Sequence, residues 1–138
     1  MTSEQKKLLS LFKEIIEICE RHNIVYYMAG GTLIGAMRHK GFIPWDDDMD
    51  LLMTRDNWNK FIEATRYDMP ENRVLECQEL DRDYPNMFGR YTDTTSSAIH
   101  MNQILGDGIA GYVVDILVLD PIPDKGESYV QYRDTLLL

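Results

Sequence analysis

The chain has 138 residues, enough for one sizeable core and short for two, and its 44% hydrophobic and 27% charged content is ordinary for a globular domain. A formal charge of −9 excludes the basic face that nucleic acid requires, but suits an acidic site that meets a phosphorylated substrate through bound metal. The polar start, Met1 to Lys7, lacks the core of a secretion signal and no apolar run reaches membrane-spanning length, so a cytoplasmic protein is expected, with room for peripheral attachment to a membrane-bound acceptor.

Leu8, Leu9, Phe12, Ile15, Ile16 and Cys19 recur at helical spacing behind a Thr2–Gln5 capping box, and Asn23 ends this first helix. Residues 24–29 are rich in β-branched and aromatic side chains, predicting a short, mostly buried strand. After the pair Gly30-Gly31, Thr32 is placed to cap a short helix from Leu33 to His39. Gly41 and Pro44 break the chain into a loop carrying Trp45 and the acids, with Trp45 read as a wedge that locks it. Residues 48–53 read as the second strand, and Thr54 caps a helix ending near Arg66 that carries Trp58, Phe61 and Ile62.

Beyond Pro70, strands are predicted at Val74–Leu80 and Met87–Tyr91 around a polar turn, then a candidate mobile loop over Thr94–Asp107. Tyr112–Leu119 is a clear strand, closed by Asp120-Pro121. Ser128–Leu138 reads as the opening of a helix that stops on three leucines, the mark of a fragment whose continuation would cover them. Cys19 and Cys77 read as reduced core residues. Helices alternating with strands give an α/β (α+β) class: residues 1–138 form one domain with a mixed sheet flanked by helices.

The chemistry concentrates at Asp46-Asp47-Asp48-Met49-Asp50. Like charges this close must stay wet, share protons or hold a cation. Strand alternation puts Asp48 and Asp50 on one side and Met49 and Leu51 in the core; Asp46 joins that side if the backbone stays extended, and Asp47 points away. The competing reading is a solvated acidic turn. Asp115 interrupts an otherwise apolar strand, where an unpaired buried carboxylate would cost several kcal/mol. On a strand beside Asp48 and Asp50 it becomes their third partner; at an edge it sits in water. Gly30-Gly31 permits close approach of a phosphate to backbone amides, without the spacing of a P-loop or dinucleotide fingerprint. Arg38, His39 and Lys40 form a basic knot that touches a phosphate or balances the acids, and Arg90 is a second source of positive charge. His22 and His100 read as structural or solvent-facing.

Tyr27 through Met53, centred on Gly-Gly-Thr-Leu-Ile-Gly-Ala-Met-Arg-His-Lys-Gly-Phe-Ile-Pro-Trp-Asp-Asp-Asp-Met-Asp, closely resembles the LicD family of phosphotransferases, in the nucleotidyltransferase fold superfamily and related to fukutin and fukutin-related protein. The resemblance extends through Phe88-Gly89-Arg90 to Val114-Asp115-Ile116. It implies a nucleotidyltransferase-like sheet, lacking here a C-terminal helical portion that family members usually carry. It also implies Asp48, Asp50 and Asp115 as catalytic acids holding Mg2+ or Mn2+, and Gly30 and Gly31 as the glycine signature. Thr32, Arg38, His39, Asp46 and Arg90 complete the expected donor site. The implied reaction moves phosphocholine, or a similar phospho-alcohol, from CDP-choline or another CDP-alcohol donor to a glycan or teichoic-acid hydroxyl, releasing CMP. The alternatives are a noncatalytic metal- or nucleotide-binding remnant and a conventional nucleotidyltransferase.

Overall fold

The computed structural model describes residues 1–96, 111–122, 126, 130 and 131. Helix α1 (Ser3–Arg21) opens with the expected capping box, since Gln5 N–H donates to Thr2 Oγ1 at 3.1 Å and Thr2 N–H to Gln5 Oε1 at 3.0 Å. Its buried stripe is Leu8, Leu11, Phe12, Ile15, Ile18 and Cys19, so Leu11 and Ile18 take the inner places expected for Leu9 and Ile16, which are only partly buried. Strand β1 (Tyr27–Met28) is shorter than expected and lies at a sheet edge, with Val25 and Tyr27 about half exposed; the β-branched run therefore marks an edge and not a core strand.

Helix α2 (Gly30–His39) begins two residues before Thr32, and its N-cap, Ala29, offers no side-chain cap. Strand β2 (Asp50–Thr54) leads into helix α3 (Arg55–Asp68), which buries Trp58, Phe61 and Ile62. Thr54 is its N-cap by position only; its hydroxyl accepts from Asn57 Nδ2 at 2.8 Å instead of from the helix backbone. Strands β3 (Arg73–Glu76), β4 (Gly89–Asp93) and β5 (Val113–Leu119) complete a sheet of order β1-β2-β5-β4-β3. β3 ends four residues early, and β4 starts two residues late because Met87 stands in solvent. Most of the expected mobile loop and of the terminal helix lies outside the described residues, although Val130 and Gln131 are helical.

The sheet is mixed: β2 runs parallel to β5 and every other pairing is antiparallel. Leu51, Met53, Tyr91, Val114 and Ile116 pack with α1 and α3 around Trp58 and Phe61. Both cysteines are free and buried there, and burial pushes the Cys19 thiol up to about 12, which keeps it inert. Asp120 does more than close a strand: both its oxygens accept from Arg55, at 2.6 and 2.8 Å, tying the start of α3 to the end of β5. Among the described residues no helix is long and apolar enough to cross a membrane.

Candidate active site

The parallel pairing sets Asp50 directly opposite Asp115, and the antiparallel pairings continue the row through Arg90 to Glu76. Four charged side chains from four strands thus cross the sheet in one line. Met49, Leu51, Val114 and Ile116 alternate with them into the core, which is why one register serves both the acids and the packing. Asp115 is on the central strand, as expected, and accepts from Arg90 Nε at 3.1 Å, with side chains 25% and 15% exposed. Gly89 lets Arg90's strand lie on the core: a Cβ there would sit 2.2 Å from Trp58 Cη2.

Asp48 lies in the segment before β2, so strand alternation does not extend to it; it is exposed, and its charge reaches both Asp46 and Asp50. Burial first, then the charges of Asp48, Asp115 and Asp46, push the Asp50 carboxyl up to about 6. Burial, the charge of Asp48, a hydrogen bond with it and the charge of Asp47 also push Asp46 upward. Both shifts begin with burial, and the crowded negative charge adds to it.

The glycine pair fits these acids closely. A Cβ on Gly30, whose φ is +47°, would lie 3.0 Å from Asp50 Oδ2, and one on Gly31 would lie 2.5 Å from Asp46 Oδ2. The start of α2 thus meets the carboxylates backbone to oxygen, and its positive end favours them. Thr32 has a different task from the capping expected of it: its hydroxyl accepts from Asp50 N–H at 2.9 Å, holding the strand that bears the acid.

Gln5 anchors the acid loop in a way the helical spacing did not reveal, since its Nε2 donates to the carbonyls of Asp46 at 2.9 Å and Ile43 at 3.2 Å. Ile43 and Met49 are buried, but Trp45 is 79% exposed with its ring near His39, so it does not wedge the loop. Arg38, His39 and Lys40 are exposed at the end of α2, and no ion pair among the described residues joins them to the acids. His22 pairs with Asp68 at 2.5 Å on the surface and with none of the site residues. A cavity of about 720 Å³ lies beside the cluster, lined by Leu9, Phe12, Met28, Phe42 and Met49 and reaching Thr32 and Asp46. Glu76 and Tyr84 were not expected here; Tyr84 is buried and feels the charges of Arg90, Glu76 and Asp115. Among the described residues no three His, Cys, Asp or Glu side chains make a ready-formed metal-ligand group.

The family model for the LicD/FKTN/FKRP nucleotidyltransferase domain matches residues 23–104. The lipopolysaccharide cholinephosphotransferase LicD of Haemophilus influenzae is 31% identical over 128 residues, covering 91% of this chain and 46% of that protein. Human ribitol 5-phosphate transferase FKRP is 43% identical over 37 residues, covering 27% of this chain and 8% of that protein. An uncharacterized Rickettsia typhi protein is 48% identical over 50 residues, 34% of this chain and 16% of that protein. The chain thus spans less than half the length of each of these relatives.

Proposed function

The chain belongs to the LicD/FKTN/FKRP nucleotidyltransferase family, and from that premise we propose that it forms the catalytic core of a metal-dependent phosphotransferase. Its donor is a CDP-linked alcohol, with phosphocholine or a similar phospho-alcohol as the transferred group and a glycan hydroxyl as acceptor. The observation that carries this reading is the side-by-side placement of Asp50 and Asp115, with Asp46 and Asp48 near them and a glycine pair against their oxygens.

The residues suit a hard divalent cation, Mg2+ or Mn2+. All four candidate donors are carboxylates, and the charges of Asp48, Asp115 and Asp46, which add to burial in raising the Asp50 carboxyl, are what such an ion relieves. Asp48, Asp50 and Asp115 would hold it, with Asp46 assisting. When bound, the ion supplies neutralisation of the donor diphosphate and polarisation of the acceptor hydroxyl. The chain's own residues do the rest. The uncapped amides at the start of α2 face the phosphates, Thr32 steadies Asp50, and the adjoining cavity leaves room for the organic part of a substrate. The acceptor oxygen attacks the phosphorus that bears the alcohol, the bond from that phosphorus to the bridging oxygen breaks, and CMP leaves. The hydroxyl proton passes to Asp115 or to solvent.

The test is incubation with CDP-choline, Mg2+ or Mn2+ and a panel of glycan acceptors, following CMP. Asp50→Asn and Asp115→Asn are expected to abolish release while circular dichroism stays unchanged. Full activity in both variants would sink the site, and pyrophosphate release from a nucleoside triphosphate would instead mark a conventional nucleotidyltransferase.

A further inference from the structure

Among the described residues, Arg90 makes the one ion pair with the acids of this site. Its Nε–H donates to Asp115 Oδ1 at 3.1 Å, and its guanidinium carbon lies 5.4 Å from the Phe88 ring centroid. Register dictates this meeting, because Arg90 is directly opposite Asp115 and Asp115 is directly opposite Asp50. With side chains only 15% and 25% exposed, the pair is shielded from much of the screening that weakens a surface ion pair. Only one edge of the guanidinium is engaged: Nη1 and Nη2 have no hydrogen-bond partner among the described residues. A planar fork that offers N–H groups beside the proposed phosphate site is suited to bidentate phosphate recognition.

We propose that Arg90 is a positioning residue that clasps Asp115 until the phosphates of the donor draw it away, so that donor and divalent ion bind cooperatively. The proposal rests on the phosphotransferase reading above and adds an order to it. Arg90 and a divalent ion compete for the same carboxylate, and their like charges repel each other. A diphosphate offers Arg90 new oxygens, which releases Asp115 to the ion. By linkage, the ion then tightens the donor by the factor with which the donor tightens the ion.

The experiment titrates Mn2+ alone into the full chain, following free Mn2+ by electron paramagnetic resonance, with and without CMP as the phosphate probe. Without CMP, Arg90→Met is expected to bind Mn2+ roughly tenfold more tightly than wild type, the net strength of a charge-assisted hydrogen bond. CMP is expected to tighten Mn2+ binding less in Arg90→Met than in wild type. In an Asp115→Asn background the gain from Arg90→Met should shrink, which separates the clasp from mere removal of a nearby charge. Arg90→Lys, which keeps the charge and loses the fork, should fall between, and it serves if the methionine variant does not fold. Equal Mn2+ affinity in wild type and the folded Arg90 variants would overturn the clasp while CMP release, assayed separately, left the phosphotransferase reading standing. Absence of Mn2+ binding in every variant would overturn both.

Discussion

Gly30 and Gly31 are adjacent, yet replacing each with alanine should have opposite effects on stability. At Gly30, φ of +47° is left-handed, and an alanine there costs about 1–2 kcal/mol. A less flexible unfolded chain returns about 0.4–1 kcal/mol. The balance is a loss of about 1 kcal/mol, or a fall of about 3 °C in Tm for a chain of this size. Gly31 is helical and should gain from the alanine, by about 0.5–1 kcal/mol. Its new methyl would lie 2.5 Å from Asp46 Oδ2, however, so the carboxylate has to leave. Asp46 is half-buried in a loop and already repelled by its neighbours, which makes that movement cheap for the fold. It is costly for the site: if Asp46 supports the ion, Mn2+ affinity should fall about 10–100-fold, the usual effect of removing such support. Thermal denaturation in EDTA and Mn2+ titration separate the two. A Gly31→Ala variant as destabilised as Gly30→Ala, or one with wild-type Mn2+ affinity, would refute the reasoning.

Two further outcomes follow from other parts of the structure. Arg73, 12% exposed, donates to both oxygens of Glu14 at 2.8 Å and to Asp93 Oδ1 at 2.8 Å, so Arg73→Met takes the guanidinium from two part-buried carboxylates and should cost about 3 kcal/mol in urea denaturation near neutral pH. Burial works against the Asp93 charge, but hydrogen bonds from Thr95 and the charge of Arg73 hold its carboxyl below the ordinary 3.8. Its stabilisation is therefore complete above that value and lost as pH falls through the lower folded one, and Arg73→Met should flatten this acid limb. Thr32→Val removes the acceptor for Asp50 N–H and should cost about 1–2 kcal/mol, with CMP release falling further than in Thr2→Val, whose loss of the α1 cap is similar in size but remote in effect.

The parts of this molecule that were legible in the sequence are those decided by neighbours a few residues apart. The Thr2–Gln5 box and the apolar stripe of α1 are of this kind, as is the interruption of β5 by Asp115. What failed depended on distant partners. Thr32 carries the chemistry of a cap, but a strand eighteen positions away takes its hydroxyl, and α2 starts at Ala29 without it. Gln5 read as a capping residue only, because its hold on the acid loop spans thirty-eight to forty-one positions. The β-branched run at residues 24–29 carried the composition of a buried strand, but only pairing shows that, among the described residues, β1 has a neighbour on one side alone. Glu76 enters the row through the β3–β4 register, which no local pattern encodes.

The row and the core are two consequences of one alternation, and this makes the charge-removing variants interpretable. Leu51 and Ile116 are fully buried among Trp58 and Phe61, while Asp50 and Asp115, one position earlier on each strand, project from the opposite face. A slip of one residue would bury both carboxylates in that core and expel the leucine and isoleucine, an exchange costing several kcal/mol per charge. The packing therefore enforces the register independently of what the acids bind. Asparagine at position 50 or 115 removes a charge from the face opposite the core and leaves the enforcing residues intact. In apo protein, Asp50→Asn should even relieve the burial of charge and the repulsion that together raise its carboxyl. Loss of CMP release in a variant that is equally or more stable would then report on the chemistry of the acid and not on its contribution to the fold.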